Sequence, residues 1–153
     1  MNIDLSSRSA SKADYNFLWN LHVATMKEYV DKTWGWVDDF QEAKFRKNFD
    51  PTLLEIIQSE ETPIGYISVE RRPDLILLIS IEITPSFQRQ GIGTRLIRGL
   101  LVEGHEKNHA VQLYVLKVNP ARKLYERLGF HVVGETDTHF TMKTGVQEKT
   151  TGA

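Results

Sequence analysis

Hydrophobic and polar positions follow a helical period over the first third of this chain and a strand period after it. Within residues 13–29, Leu18, Leu21 and Thr25 fall on one helical face. Ser11, with Asp14 three residues later, supplies a capping-box start just before them. A second helical stretch carries Phe45 and Phe49 one turn apart. Asp38 or Asp39 can cap it, with Gln41 and Glu42 three residues on, and Asp50-Pro51 ends it. Then the period changes. Residues 53–58, 64–69 and 75–83 are rich in β-branched and aliphatic side chains and are separated by turn-like segments, which predicts a three-stranded antiparallel meander. Pro85 stops its third strand. A long helix follows over residues 91–107, with Ile92, Leu96, Ile97, Leu100 and Leu101 in one stripe, and then a strand over 110–115. Asn119-Pro120 reads as a cap and first helical position. Ala121, Leu124, Tyr125 and Leu128 share the face of that helix, and Gly129 ends it. Residues 130–135 and 139–143 close as a hairpin, and residues 1–5 read as a short first strand. The order β-α-α-β-β-β-α-β-α-β-β predicts an α/β layer with a mixed sheet.

A chain of 153 residues is of single-domain length and buries a core without staples. Its net charge of -1 lacks the basic footprint of a nucleic-acid binder, so no nucleic-acid partner is expected. The absence of cysteine excludes disulfides, a cysteine nucleophile and thiolate metal sites, and no metal is expected. There is neither a basic-then-apolar leader nor an apolar run of membrane-spanning length. The expectation is a soluble, cytoplasmic protein with no membrane partner. Residues 144–153 are polar and aperiodic and read as a flexible tail behind a domain of residues 1–143.

Candidate chemistry begins at Gln88-Arg89-Gln90-Gly91-Ile92-Gly93-Thr94, between a strand and a helix. Glycines admit close backbone approach, and the first N–H groups of a helix lack internal partners and carry the positive end of its dipole. Together they make an anion site suited to a pyrophosphate. A P-loop needs Gly-Lys-Ser/Thr, and Gly93-Thr94-Arg95 lacks the lysine. A dinucleotide fingerprint needs a third glycine, where Leu96 stands. A glycine turn without ligand remains the alternative from the loop alone.

The loop does not stand alone. Ile81-Glu82-Ile83-Thr84-Pro85-Ser86-Phe87-Gln88-Arg89-Gln90-Gly91-Ile92-Gly93 resembles the main acetyl-CoA motif of the GNAT superfamily of N-acetyltransferases: a strand, a proline turn, then Gln/Arg-x-x-Gly-x-Gly/Ala. About 25 residues on, Val118-Asn119-Pro120-Ala121-Arg122-Lys123-Leu124-Tyr125-Glu126-Arg127-Leu128-Gly129-Phe130 is similar to the family's second signature, an Asn and an Ala, then Leu-Tyr and a closing Gly-Phe. The resemblance covers residues 64–143, and it implies a single GNAT-like α/β domain. Its central sheet would be mixed and mostly antiparallel, with splayed central strands and flanking helices. It implies acetyl-CoA as co-substrate and transfer of an acetyl group to a primary amine, small molecule or peptide, by direct attack. A non-catalytic acyl-CoA-binding or regulatory module of the same fold is the alternative. Carried over residue by residue, the backbone of Ile81, Glu82 and Ile83 pairs with the pantetheine arm and polarises the thioester carbonyl. Arg89, Gln90, Gly91, Ile92, Gly93 and Thr94 hold the pyrophosphate, Asn119 lies near the pantetheine, and Tyr125 donates to the thiolate leaving group.

Where many relatives carry a glutamate base, five residues before the signature Asn, this chain has Tyr114. Glu82 either lines the cleft or is solvated, since alternation turns it away from Ile81 and Ile83. Of the five histidines, His139 on the last hairpin is the one singled out. Trp34 and Trp36 flank Gly35, with Asp38, Asp39 and Glu42 close behind. Aromatics beside carboxylates suit a cationic amine; packing against the core or as a lid is the competing account. Monomer and homodimer are both compatible with the sequence.

Overall fold

The structure, a computed structural model, describes residues 3–145. Among the described residues, seven strands and four α-helices follow one another in the expected order: β1 Leu5–Ser9, α1 Tyr15–Trp34, α2 Asp38–Asn48, β2 Leu54–Ser59, β3 Thr62–Arg71, β4 Leu75–Ile83, α3 Ile92–Lys107, β5 Ala110–Leu116, α4 Ala121–Arg127, β6 Phe130–Glu135 and β7 His139–Thr144. They form an α/β fold on one mixed sheet of order β1-β2-β3-β4-β5-β7-β6. The β4–β5 pair is parallel, whereas β1–β2, β2–β3, β5–β7 and β6–β7 are antiparallel. Among the described residues the β4–β5 ladder ends at Leu78↔Leu113, although β4 runs on to Ile83 and β5 to Leu116. The chain packs as two compact units. One contains the residues up to Val69 together with Ile79–Gly93, and the other Glu70–Leu78 with the residues from Thr94 onward.

In the first unit, Leu18 and Leu21 of α1 bury against Ile56 of β2 and Tyr66 of β3, with Phe17, Phe45, Phe49 and Leu54 around them. Asp14 fixes the entrance to α1. It is buried, it accepts from the Ser11 N–H at 2.8 Å, and it takes both terminal nitrogens of Arg8 at 2.9 Å. The Arg8 guanidinium holds its carboxyl below the usual range. The helix runs to Trp34, past the expected end near residue 29, because buried Val30 extends the apolar stripe and no breaker comes before Gly35, at φ 84°.

Two expectations need correction here. The first strand is Leu5–Ser9, a polar edge strand paired from Leu5↔Ser59 to Ser9↔Glu55; residues 3 and 4 are not strand, and residues 1 and 2 lie outside the described residues. Neither Asp38 nor Asp39 caps α2. Val37 holds that position without a side-chain bond, and Asp38 instead accepts from Trp36 Nε1 at 2.5 Å.

In the second unit, β7 inserts between β5 and β6, and Val111, Leu113, Phe130 and Met142 are buried. Arg71 and Lys107 both reach Glu103, at 2.7 and 3.0 Å, and hold its carboxyl at about 2. Thr144 belongs to the sheet rather than to a tail: its Oγ1 accepts from the Val111 N–H at 2.9 Å. The remainder of the expected tail, residues 146–153, lies outside the described residues.

Candidate active site

The glycine loop is built from backbone outward. Beyond Ile83, the Thr84 N–H donates to the Ile64 carbonyl at 2.8 Å, and the 3-10 turn Pro85–Phe87 carries the chain away from the sheet. The Gln88 amide then donates back to the Ile83 carbonyl at 2.9 Å, tying the loop to the end of β4. Arg89 and Gly91 take φ of 64° and 79°, a left-handed geometry that glycine adopts freely and that arginine holds under strain. Ile92 is buried and anchors the start of α3. A Cβ built on Gly91 or Gly93 would meet no atom within 4 Å. The space before the backbone is therefore open where the first N–H groups of α3 lack intrahelical acceptors. That arrangement suits a bulky anion.

Residues Ile81, Glu82 and Ile83 lie on the last stretch of β4, past the end of the β5 ladder. Glu82 does point away from Ile81 and Ile83, but it is not solvated: it is 6% exposed. Thr25 of α1 donates to its Oε1, and Tyr66 of β3 donates to Oε2 at 2.5 Å. His22 of α1 places Nδ1 3.2 Å from Oε2. Ser80, two residues before Glu82, donates to the Tyr66 hydroxyl at 2.9 Å. Burial and the Glu82 charge push Tyr66 well above the ordinary tyrosine range, so it stays a neutral donor.

The sequence did not single out His22 among the five histidines and did not nominate Tyr66. A signal existed for His22, since it lies four residues after Leu18 and three before Thr25, on the stripe that faces the core. His139, which was singled out, instead sits with Nδ1 2.8 Å from Thr138 Oγ1.

Trp34 and Trp36 do not share an environment. Trp34 is 55% exposed, with Lys44 Nζ 5.9 Å from its ring. Trp36 is half-buried and stacked on Trp19 at 6.0 Å, and its backbone N–H donates to Asp31 at 2.9 Å. Together with Phe45, Trp19 and Trp36 surround the His22 ring at centroid distances of 5.2 to 6.4 Å.

In the second unit, Pro120 rather than Asn119 holds the N-cap position of α4, while Asn119 Oδ1 accepts from the Ala121 N–H at 2.9 Å just ahead of it. Tyr125 packs edge-on against Phe130 at 5.9 Å, and burial pushes its hydroxyl up to about 12. Tyr114 is exposed, and its hydroxyl accepts from Gln112 at 3.0 Å. Of the basic side chains on α4, Arg122 pairs with Glu126 at 2.6 Å and lies 4.5 Å from the Phe140 ring. Among the described residues, no helix is long and apolar enough to cross a membrane, and no cluster of three or more His, Asp or Glu side chains is placed to hold a metal.

Residues 15–130 match the family model of the acetyltransferase (GNAT) family. The chain is 30% identical, over 96 residues, to the ribosomal protein bS18-alanine N-acetyltransferase of Haemophilus influenzae; the match spans 62% of this chain and 65% of that relative. The PaiA N-acetyltransferase of Thermoplasma acidophilum, solved in complex with coenzyme A, shares the fold with a TM-score of 0.75 at 18% identity, over 93% of this chain and 99% of that one. So does the ribosomal-protein-S18-alanine N-acetyltransferase of Escherichia coli, with a TM-score of 0.68 at 20% identity, over 98% and 99%. The chain belongs to the acetyltransferase (GNAT) family.

Proposed function

We propose that this protein transfers the acetyl group of acetyl-CoA to a primary amine by direct attack, in the cytoplasm, with residues 1–143 as the catalytic domain. The observation that carries the reading is the open backbone at Gly91, just before α3, and at Gly93, on its first turn. A side chain at either position would fill the space a pyrophosphate needs, and the first N–H groups of a helix have no intrahelical acceptor.

In this reading Arg89, Gln90, Gly91, Ile92, Gly93 and Thr94 hold the diphosphate. Backbone groups of Ile81, Glu82 and Ile83 pair with the pantetheine arm, and an N–H among them polarises the thioester carbonyl. Asn119, beyond accepting from the Ala121 N–H, lies along the same arm, and Tyr125 donates a hydrogen bond to the departing sulfur. Trp36, and Trp34 with it, shape the acceptor side. The name of the Haemophilus relative directs attention to a protein α-amine on alanine as acceptor.

The deciding experiment titrates acetyl-CoA calorimetrically and follows thiol release with two acceptors, an alanine-initiated pentapeptide and 1,4-diaminobutane. Binding with thiol release and an acetylated amine is expected. Binding without release for any amine would establish the non-catalytic module instead, and no binding would overturn both.

A further inference from the structure

An amine can attack a thioester only after losing a proton, so a proton acceptor has to stand near it. Glu82 is the buried carboxylate on the strand proposed to read the thioester, yet its surroundings close it off. Its side chain is 5% accessible. Oε1 already accepts from Thr25, and Oε2 already accepts from Tyr66 and contacts His22. Both oxygens are engaged and the side chain is almost wholly covered, so the carboxylate offers little surface to an acceptor amine. His22 differs: its side chain is 23% accessible, and among the described residues Nε2 makes no hydrogen bond to protein. A neutral imidazole that donates from Nδ1 to a carboxylate carries its lone pair on Nε2.

We infer that His22 is the catalytic proton acceptor for the amine, through Nε2, and that Glu82 is the positioning residue that fixes its tautomer and ring. The inference rests on the acetyl-transfer reading. One ammonium N–H bond breaks: its proton bonds to Nε2, and its electron pair stays on the amine nitrogen. That pair forms the new N–C bond at the carbonyl carbon as the C–S bond breaks, its electrons leaving on sulfur. A second proton leaves nitrogen for the sulfur. The products are the amide, the free thiol and an imidazolium, which returns its proton to water at the open edge of the ring.

The groups facing the pair come from every side. Tyr66 from β3 and Thr25 from α1 donate to the carboxylate, and Ser80 of β4 stands behind Tyr66. Trp19, Trp36 and Phe45 enclose the imidazole; the charges beyond them are Lys27, 5.9 Å from the Trp36 ring, with Asp38 on Trp36 Nε1 and Asp31 on its backbone N–H. The ring wall limits water around the imidazole, and Glu82 offsets the positive charge it gains.

The test compares kcat and kcat/KM from pH 6 to 10 for the wild type, His22→Gln, Glu82→Gln and, as control, the exposed β6 residue His131→Gln. The substrates are acetyl-CoA with the alanine-initiated pentapeptide or 1,4-diaminobutane. Thermal melts and acetyl-CoA titration establish that each variant is folded and competent to bind. A lost general base typically costs about 10²- to 10⁴-fold. His22→Gln should lose about 10²-fold in kcat near neutrality, and the gap should close as the pH nears the amine's own pKa, where free amine is abundant. Glu82→Gln should show a smaller loss of the same shape, and His131→Gln should follow the wild type.

In the wild type, nitrogen-15 NMR of His22 should show the Nδ1-protonated neutral tautomer, and its titration should coincide with the acidic limb of kcat/KM. A His22→Gln loss that is constant across pH would mean a structural role and overturn the inference while leaving acetyl transfer standing. So would a wild-type limb that does not coincide with the His22 titration, a result that needs no variant to fold. A wild type that releases no thiol with either amine removes the inference together with the reading beneath it.

Discussion

Replacing Gly65 by alanine tests whether the close approach of β3 to the end of β4 is set by the missing side chain. A Cβ at that position would lie 2.5 Å from the Glu82 carbonyl oxygen, 2.8 Å from Ile83 Cδ1 and 3.2 Å from Ile83 Cα. A relaxed carbon–oxygen contact needs roughly 3.3 Å, so the methyl is short by about 0.8 Å. Two of the three atoms are backbone and cannot rotate aside. Overpacking costs about 1–3 kcal/mol, and a backbone obstacle belongs in the upper half of that range. Alanine returns about 0.4–1 kcal/mol by restricting the unfolded chain. The expected net loss is about 2 kcal/mol. For a chain of this size each kcal/mol moves Tm by roughly 2–4 °C, so the melting temperature should fall by about 4–8 °C. A urea titration should show a lower midpoint at unchanged slope. Because the displaced atoms lie in the stretch proposed to pair with pantetheine, acetyl-CoA affinity should fall as well. Gly99→Ala is the matched control: Gly99 lies in α3 with no atom within 4 Å of its Cβ position. It should gain about 0.5–1 kcal/mol from relief of the helix glycine penalty and leave affinity unchanged. A Gly65→Ala protein that melts at or above the wild type would refute the steric account of the β3–β4 approach.

Gly93→Val should keep the fold, since valine is no worse than glycine in a helix and its Cβ meets open space; calorimetry should then detect no acetyl-CoA binding. The Arg71–Glu103–Lys107 group predicts a pH dependence of stability. The folded value of Glu103, about 2, lies below the ordinary glutamate value of about 4.3, so the stabilisation is complete above the unfolded value and is lost as pH falls from there through the folded one. Both cations are half exposed, so the Glu103→Gln deficit should be only about 1 kcal/mol at pH 7 and should vanish toward pH 2, read by urea denaturation at both pH values. Tyr125→Phe should lower kcat by about 10²-fold with little change in acceptor KM, acetyl-CoA affinity or Tm; steady-state kinetics with wild-type kcat would return Tyr125 to a packing role.

How much of this was legible depended on whether one element's own residues carried the signal. The β4 strand, Leu75–Ile83, matches its expected bounds residue for residue, because an aliphatic run broken only by Ser80 and Glu82 ends at a threonine and a proline. The first strand was misplaced because Ser6, Ser7, Arg8 and Ser9 carry no hydrophobic alternation; it is a strand by virtue of pairing with β2, and propensity does not report a pairing partner. At Glu82 the sequence gives the parity of the side chain but not what waits on that face. The partners stand 60 residues away at His22, 57 at Thr25 and 16 at Tyr66, and only the folded chain brings them together. The glycine loop was readable because its chemistry lies in the backbone of consecutive residues, where φ and the lack of a Cβ follow from residue type.

Burial sorts the groups that proton transfer could use. A coenzyme thiol resembles cysteine, with a pKa of about 8.5, and tyrosine ordinarily sits near 10, so donation of a proton from a solvated tyrosine is uphill by roughly 1.5 units. Desolvation pushes Tyr125 to about 12. The gap to the thiol then widens to roughly 3.5 units, or about 5 kcal/mol. That is too steep for full transfer when a thiolate already leaves without help. The same desolvation strengthens a hydrogen bond to a sulfur gaining charge, so what burial removes from Tyr125 as an acid it returns as a donor. Glu82 meets the opposite fate by the same cause: it is enclosed with every oxygen engaged and has no route to a substrate proton except through a neighbour. His22 is the neighbour with an open edge. The proposed transfer asks for one proton to be taken from nitrogen and little to be given to sulfur, and the roles proposed for His22 and Tyr125 divide along that line.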